Sequence, residues 1–75
     1  MGRKKAVTWR SPDGSPVSCV EKIKVLEQNL AEFRAVALDL LEDAVLMGCD
    51  PRMARQVLKD ELDALDIRVL PAQME

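Results

Sequence analysis

The chain has 75 residues, of which 32% are charged, and a formal net charge of −2. It contains no histidine and only two cysteines, a composition that argues against a structural zinc site within one chain. A chain of this length forms at most one domain, and one core of this size contributes only about 3–5 kcal/mol of stability. Small chains usually gain further stability from disulfides, a metal ion or a partner chain.

The start of the chain and its hydropathy indicate a cellular location. The basic residues that follow Met1 are not succeeded by an apolar run, as a secretory signal would require. No apolar stretch approaches about 18 residues without charges, so we predict no membrane span. We therefore expect a cytoplasmic protein that makes no membrane contact.

Residues 1–18 are predicted to form an irregular, basic N-terminal arm. Residues 1–10 carry four positive charges and no negative one, although the whole chain is acidic. Such an arm either binds nucleic acid, lies on the acidic body of its own or a sister chain, or aids solubility. The four cations are Arg3, Lys4, Lys5 and Arg10.

Within the arm, the run Pro12-Asp13-Gly14 predicts a turn, because proline presets φ and glycine accepts a positive φ. The segments 7–10 and 15–17 on either side could pair as a small hairpin, which is stable only when it packs on other structure. We expect the single tryptophan, Trp9, to dock the arm on an apolar helix surface. The alternative is that Trp9 anchors a partner or stacks on a nucleic-acid base.

The next segment carries the strongest pattern in the chain. Apolar residues recur at alternating steps of three and four between residues 23 and 47, with no glycine or proline inside, which is the spacing of a heptad repeat. It predicts one long helix over about residues 19–47 and a narrow apolar interface. The residues of this heptad seam are Ile23, Leu26, Leu30, Phe33, Ala37, Leu40, Ala44 and Met47.

Local signals predict how this helix begins and ends. Ser18 and Glu21 have the spacing of a capping box at its N-terminus, and Gly48 suits a left-handed residue after its C-terminus. Asp50 is a favourable N-cap and Pro51 suits the first position of a second helix, predicted over about residues 51–66. The short connection makes the two helices antiparallel neighbours.

Together these elements predict an all-α fold, an antiparallel helical hairpin over residues 19–70 with a disordered tail at 71–75. The second helix is about half as long as the first and can cover only its C-terminal half. Residues 35–47 are apolar nearly all round the helix, so a second apolar face stays uncovered. We therefore expect a homodimer that forms a four-helix bundle, and a larger protein as a further partner.

Few residues could support chemistry. The chain lacks histidine, tyrosine, a glycine-rich phosphate loop and a nucleophile–base pair, so we predict no enzyme and no cofactor. Asp39, Glu42 and Asp43 share a helix face, but without histidine they offer only an oxygen-only cation site, and a solvent-facing stripe is the simpler interpretation. A continuous first helix separates Cys19 from Cys49 by about 45 Å, too far for a disulfide.

These patterns predict a small, non-enzymatic interaction or accessory protein that acts through a coiled-coil-like helical surface. The alternative is a small nucleic-acid-binding regulator. It would use the arm residues Arg3, Lys4 and Lys5 together with Arg52 and Arg55 of the second helix. Acidic residues at 60, 61, 63 and 66 follow directly and would repel phosphates.

Overall fold

The computed structural model of the protein describes residues 7–69. Two α-helices dominate this part of the chain: α1 spans Val20–Leu46 and α2 spans Pro51–Ala64. No strand is present between residues 7 and 69, and α1 and α2 contact each other after the short connection. The described chain is an all-helical hairpin, which confirms the predicted fold class.

The first helix begins one residue later than predicted. Cys19 is its N-cap, with extended backbone angles (φ −73°, ψ 117°), and no side chain caps the helix there. The predicted capping box of Ser18 and Glu21 is therefore wrong. With Cys19 as N-cap, Glu21 occupies the second helical position, whereas a capping box requires the glutamate at the third.

The C-terminus of α1 is closed by a Schellman motif. The amide of Cys49 donates to the carbonyl of Ala44 (2.8 Å), and the amide of Gly48 donates to that of Val45 (3.0 Å). Gly48 has φ +100°, the left-handed conformation that this motif requires. The predicted role of Gly48 is confirmed, and α1 ends at Leu46, one residue before the predicted boundary.

Gly48→Ala should destabilise the hairpin through backbone strain alone. A Cβ atom at Gly48 would meet no atom within 4 Å, so the cost is that of a left-handed alanine, about 1–2 kcal/mol. For a domain of this size, each kcal/mol lowers the melting temperature by about 4–8 °C. Circular dichroism at 222 nm, at equal protein concentrations, measures the shift.

Gly48→Asn is the matched control, because asparagine tolerates the left-handed region better than alanine. It should retain more of the wild-type melting temperature than Gly48→Ala does. Equal melting temperatures for wild type and Gly48→Ala would show that this turn does not limit stability.

The second helix starts as predicted and ends earlier. The Asp50 carboxylate accepts a hydrogen bond from the amide of Met53 (3.1 Å), and Pro51 occupies the first turn, where its missing N–H costs nothing. The backbone of Leu65 is extended (ψ 132°). Helix α2 therefore ends at Ala64 and not near residue 66, the end predicted from the sequence. Residues 65–69 continue outside the helix, and the predicted tail at 71–75 lies outside the described residues.

The described part of the arm, residues 7–18, forms a closed turn. The amide of Gly14 donates to the carbonyl of Ser11 and the amide of Ser11 donates to that of Ser15, both at 2.8 Å. Gly14 has φ +92°, as in a type I turn followed by a glycine bulge. The Ser15 hydroxyl and amide both donate to the exposed Asp13 carboxylate and hold its pKa below the ordinary value.

The arm segments approach each other without forming strands. Arg10 and Pro16 make a single antiparallel bridge, and the amide of Val17 donates to the carbonyl of Trp9 (2.8 Å). Proline has no N–H to extend such a ladder. The arm is therefore a short paired loop, stabilised mainly by its own turn.

The hairpin has almost no core of its own. Ala54, at 4% exposure, is the only buried residue between residues 7 and 69. The Cα radius of gyration is 15.7 Å, against about 11 Å for a compact domain of this length. The apolar side chains of α1 and α2 therefore lie largely at the surface of the single chain.

Candidate interaction surface

The predicted heptad seam separates into two rows that differ in exposure. Each row repeats every seven residues. The inner row, Ile23, Leu30, Ala37 and Ala44, is half-buried at every position. The outer row, Leu26, Phe33, Leu40 and Met47, is half-buried only at Leu26; Phe33 is 46% exposed, Leu40 45% and Met47 83%.

The position of α2 explains this difference. A groove of about 170 Å³ between the helices is lined by Leu38, Leu41, Glu42 and Val45 of α1 and by Pro51 and Arg55 of α2. Leu41 lies one helical turn from both Ala37 and Ala44, so the groove runs beside the inner row. Leu38 and Leu40 point about 160° apart around α1, and α2 therefore leaves the outer row open.

Further exposed apolar side chains extend the outer row. Val36, 68% exposed, lies one turn from both Phe33 and Leu40. On α2, Met53 and Val57 are 55% and 42% exposed, and helical geometry places both on the opposite side of Ala54 from the groove. The outer row, together with Val36, Met53 and Val57, forms one apolar surface, which we call the open face. Its members are Leu26, Phe33, Val36, Leu40, Met47, Met53 and Val57.

Val36 belongs to residues 35–47, whose second apolar face was predicted to stay uncovered, whereas the sequence patterns did not identify Met53 and Val57 as surface members. A heptad seam predicts the side of a helix that is covered, but it does not reveal which of its flanks a neighbour occupies. The sequence signal for two separate rows was the seven-residue spacing within each of them. Only the position of α2 distinguishes the two rows.

Trp9 contacts the N-terminal half of α1 through a polar interaction. Its indole Nε1 donates to Oε2 of Glu27 at 2.8 Å, and the ring is half-buried. A donor to a carboxylate makes a stronger hydrogen bond than a neutral pair. Glu27 lies on the side of α1 that continues the inner row. Phe33 and Leu40 of the outer row stay exposed, while Leu26 is half-buried.

Removal of the Glu27 carboxylate should release the indole ring. A hydrogen bond of about 1 kcal/mol corresponds to roughly a fivefold change in the ratio of docked to undocked arm. Glu27→Ala should therefore shift Trp9 fluorescence to longer wavelength and increase its quenching by acrylamide. Trp9 is the only tryptophan, so the signal reports this contact alone.

Glu32→Ala is the control for the Trp9 contact, since Glu32 is an exposed glutamate on the same helix that makes no hydrogen bond to the described part of the arm. Its fluorescence and quenching should equal those of wild type. An unchanged Trp9 environment in Glu27→Ala would mean that apolar contacts alone hold the ring.

The predicted nucleic-acid residues are only partly described. Arg3, Lys4 and Lys5 lie outside residues 7–69, whereas Arg52 and Arg55 are exposed on the first turns of α2. Arg55 lines the groove beside α1. Further along α2, Gln56 donates to Asp60 at 2.8 Å, and the acidic residues begin there.

The described residues offer no evident centre for chemistry. No cluster of three or more His, Cys, Asp and Glu side chains among them is arranged to hold a metal ion. Cys19 and Cys49 are free and exposed, at opposite ends of a helix about 40 Å long. Neither described helix combines the length and apolarity needed to cross a membrane.

Comparisons with protein-family models, with curated proteins and with solved structures find no match to this chain. Function must therefore be inferred from the surface itself. The feature that stands out is an apolar open face on a molecule with a single buried residue in its described part.

Proposed function

We propose that this chain is a small, non-enzymatic protein–protein interaction module that acts through the open face. The observation that carries the proposal is the imbalance between buried and exposed apolar residues. One small side chain, Ala54, is buried, while large side chains such as Phe33, Leu40 and Val57 are between 42% and 46% exposed. Apolar patches of this kind on a small chain typically mark association surfaces.

The energetics support association. Full burial of a large apolar side chain stabilises by about 1.5–3 kcal/mol relative to its exposure. A hairpin of 75 residues with so little core has few such contributions within one chain. A partner that covers the open face would supply them, and the folding of the hairpin would then depend on binding.

We propose that the chain associates with itself and that a larger protein is a further partner. Two hairpins related by a two-fold axis provide four helices, the number that encloses a bundle core. We also propose a cytoplasmic location. The free thiols of Cys19 and Cys49 are compatible with a reducing compartment.

Sedimentation velocity between about 1 and 100 µM tests the proposal. We expect a species of twice the 8.4 kDa chain mass that dissociates at the lowest concentrations, with helical circular dichroism falling in parallel. A folded 8.4 kDa monomer over the whole range would contradict it.

Nucleic-acid binding remains the alternative prediction, and it gives a different result. Affinity for mixed-sequence DNA or RNA would fall steeply with salt, by roughly one log unit in K per log unit of salt for each neutralised phosphate. Replacing Arg3, Lys4 and Lys5 by alanine would remove up to three units of that slope. A mobility shift at sub-micromolar protein and about 0.15 M salt would favour this alternative.

A further inference from the structure

We infer that the open face is covered by a second copy of this chain, with the two α1 helices antiparallel and their two-fold axis at Phe33. The inference rests on the proposed function, since it specifies the orientation and register of the proposed self-association. Three properties of α1 carry it: the symmetry of the outer row, the charges beside that row, and the positions of α2 and the arm.

The outer row is symmetric about Phe33. Leu26 and Leu40 each lie seven residues from it, and their row repeats every two helical turns. An antiparallel partner centred at Phe33 therefore places Phe33 opposite the partner's Phe33. It also places Leu26 opposite the partner's Leu40, twice by symmetry. A two-fold interface must be self-complementary in this way.

The charges beside the outer row select the antiparallel orientation. Lys22 and Asp43 are exposed and belong to the row that flanks the outer row, at positions 22, 29, 36 and 43. A two-fold axis at Phe33 brings Lys22 close to the partner's Asp43. The two residues are offset by only one position, which is about 1.5 Å along the helix. In a parallel pair the two-fold axis runs along the helices and carries this flanking row to the far side of the interface, so Lys22 would not meet the partner's Asp43 and the attraction would be absent.

Nothing in the described chain blocks this approach. The second helix lies along the inner-row side of α1, beside Leu41 and Val45, and Trp9 reaches Glu27 on that side as well. Phe33, Leu40 and Met47 of the outer row are therefore exposed, and Leu26 is half-buried. Glu32 lies near the axis at the exposed rim, where solvent screening keeps its repulsion from the partner's Glu32 small.

Charge reversal at the two flanking positions tests the register. Lys22→Glu and Asp43→Lys should each weaken the dimer by roughly tenfold at low salt, because each turns two attractive pairs into two repulsive ones. The double variant restores both pairs and should regain wild-type affinity. An equimolar mixture of the two single variants should form a heterodimer more readily than either variant forms a homodimer.

Lys24→Glu and Glu42→Lys make the same charge changes on the opposite face of α1. They are matched controls, and their dissociation constants should stay within about twofold of wild type. Single variants that dimerise normally, or a double variant that stays weak, would overturn the proposed register.

Cysteine cross-linking tests the orientation independently. With Cys19 and Cys49 both replaced by serine, Leu26→Cys and Leu40→Cys chains are oxidised at concentrations where sedimentation shows dimer. The antiparallel pair predicts a disulfide-linked dimer in the mixture of the two chains and little in either chain alone.

The other outcomes separate the two proposals. Cross-linking of each chain with its own copy would establish a parallel pair, which overturns this inference but not the proposed function. A dimer without any cross-link would place the interface elsewhere on the surface. A wild-type monomer in sedimentation would overturn both.

Discussion

Leu40→Asp is expected to convert the associated protein into a monomer at micromolar concentration. Leu40 is 45% exposed in the single chain and lies at the centre of the open face. Association would bury an unpaired carboxylate in place of leucine on both copies, at a cost of at least about 3 kcal/mol each. The dissociation constant should therefore rise by about four orders of magnitude, which sedimentation velocity detects directly.

Leu38→Asp is the matched control for Leu40→Asp. Leu38 lies on the same helix and has a similar exposure, 52%, but it lines the groove on the other side of α1. This variant should remain associated. If both variants dissociate equally, the loss reflects general destabilisation of α1; if Leu40→Asp remains a dimer, the open face is not the interface.

Ala54→Asp is expected to detach α2 from α1. Ala54, at 4% exposure, is the most buried residue of the described hairpin, and an aspartate there would be buried without a partner. That costs about 3–5 kcal/mol, which equals the whole stability that one core of this size supplies. A separated helix of 14 residues is marginal in water, so α2 should unfold.

The measurement is circular dichroism at 222 nm, where the helical signal should fall by about a third, the share of α2 in the 27- and 14-residue helices. Ala35→Asp makes the same substitution at an exposed position of α1 and carries the same loss of helix propensity. It should keep the helical signal. An Ala54→Asp protein with full helicity and unchanged melting temperature would show that α2 is held by contacts elsewhere.

Local signals in the sequence predicted the connection between the helices well. The Gly48 turn and the Asp50 cap depend on residues within six positions of each other, and the structure confirms both. The N-terminal boundary of α1 was less determined, because Ser18 and Cys19 can each precede a helix. The chain extends one residue further before α1 begins, and the capping box is lost.

The C-terminal boundary of α2 shows the limit of periodicity. The apolar pattern continues through Leu65 and Ile67, which favours a longer helix. These residues are 68% and 81% exposed, so a further helical turn would bury little apolar surface within the described chain. Helix α2 therefore ends at Ala64 although the apolar pattern continues, and a linear pattern does not reveal how little of that surface the fold covers.

The sequence by itself determined two helices, their connection and the apolar seam of α1, because these depend on spacing along one axis and on neighbouring residues. The tertiary structure alone decided that α2 covers the inner row and that Trp9 reaches Glu27 on the same side. A heptad pattern defines directions around a helix but not the neighbour that fills each direction. That choice depends on the path of the Gly48 turn and on the packing of α2, whose Ala54 is buried.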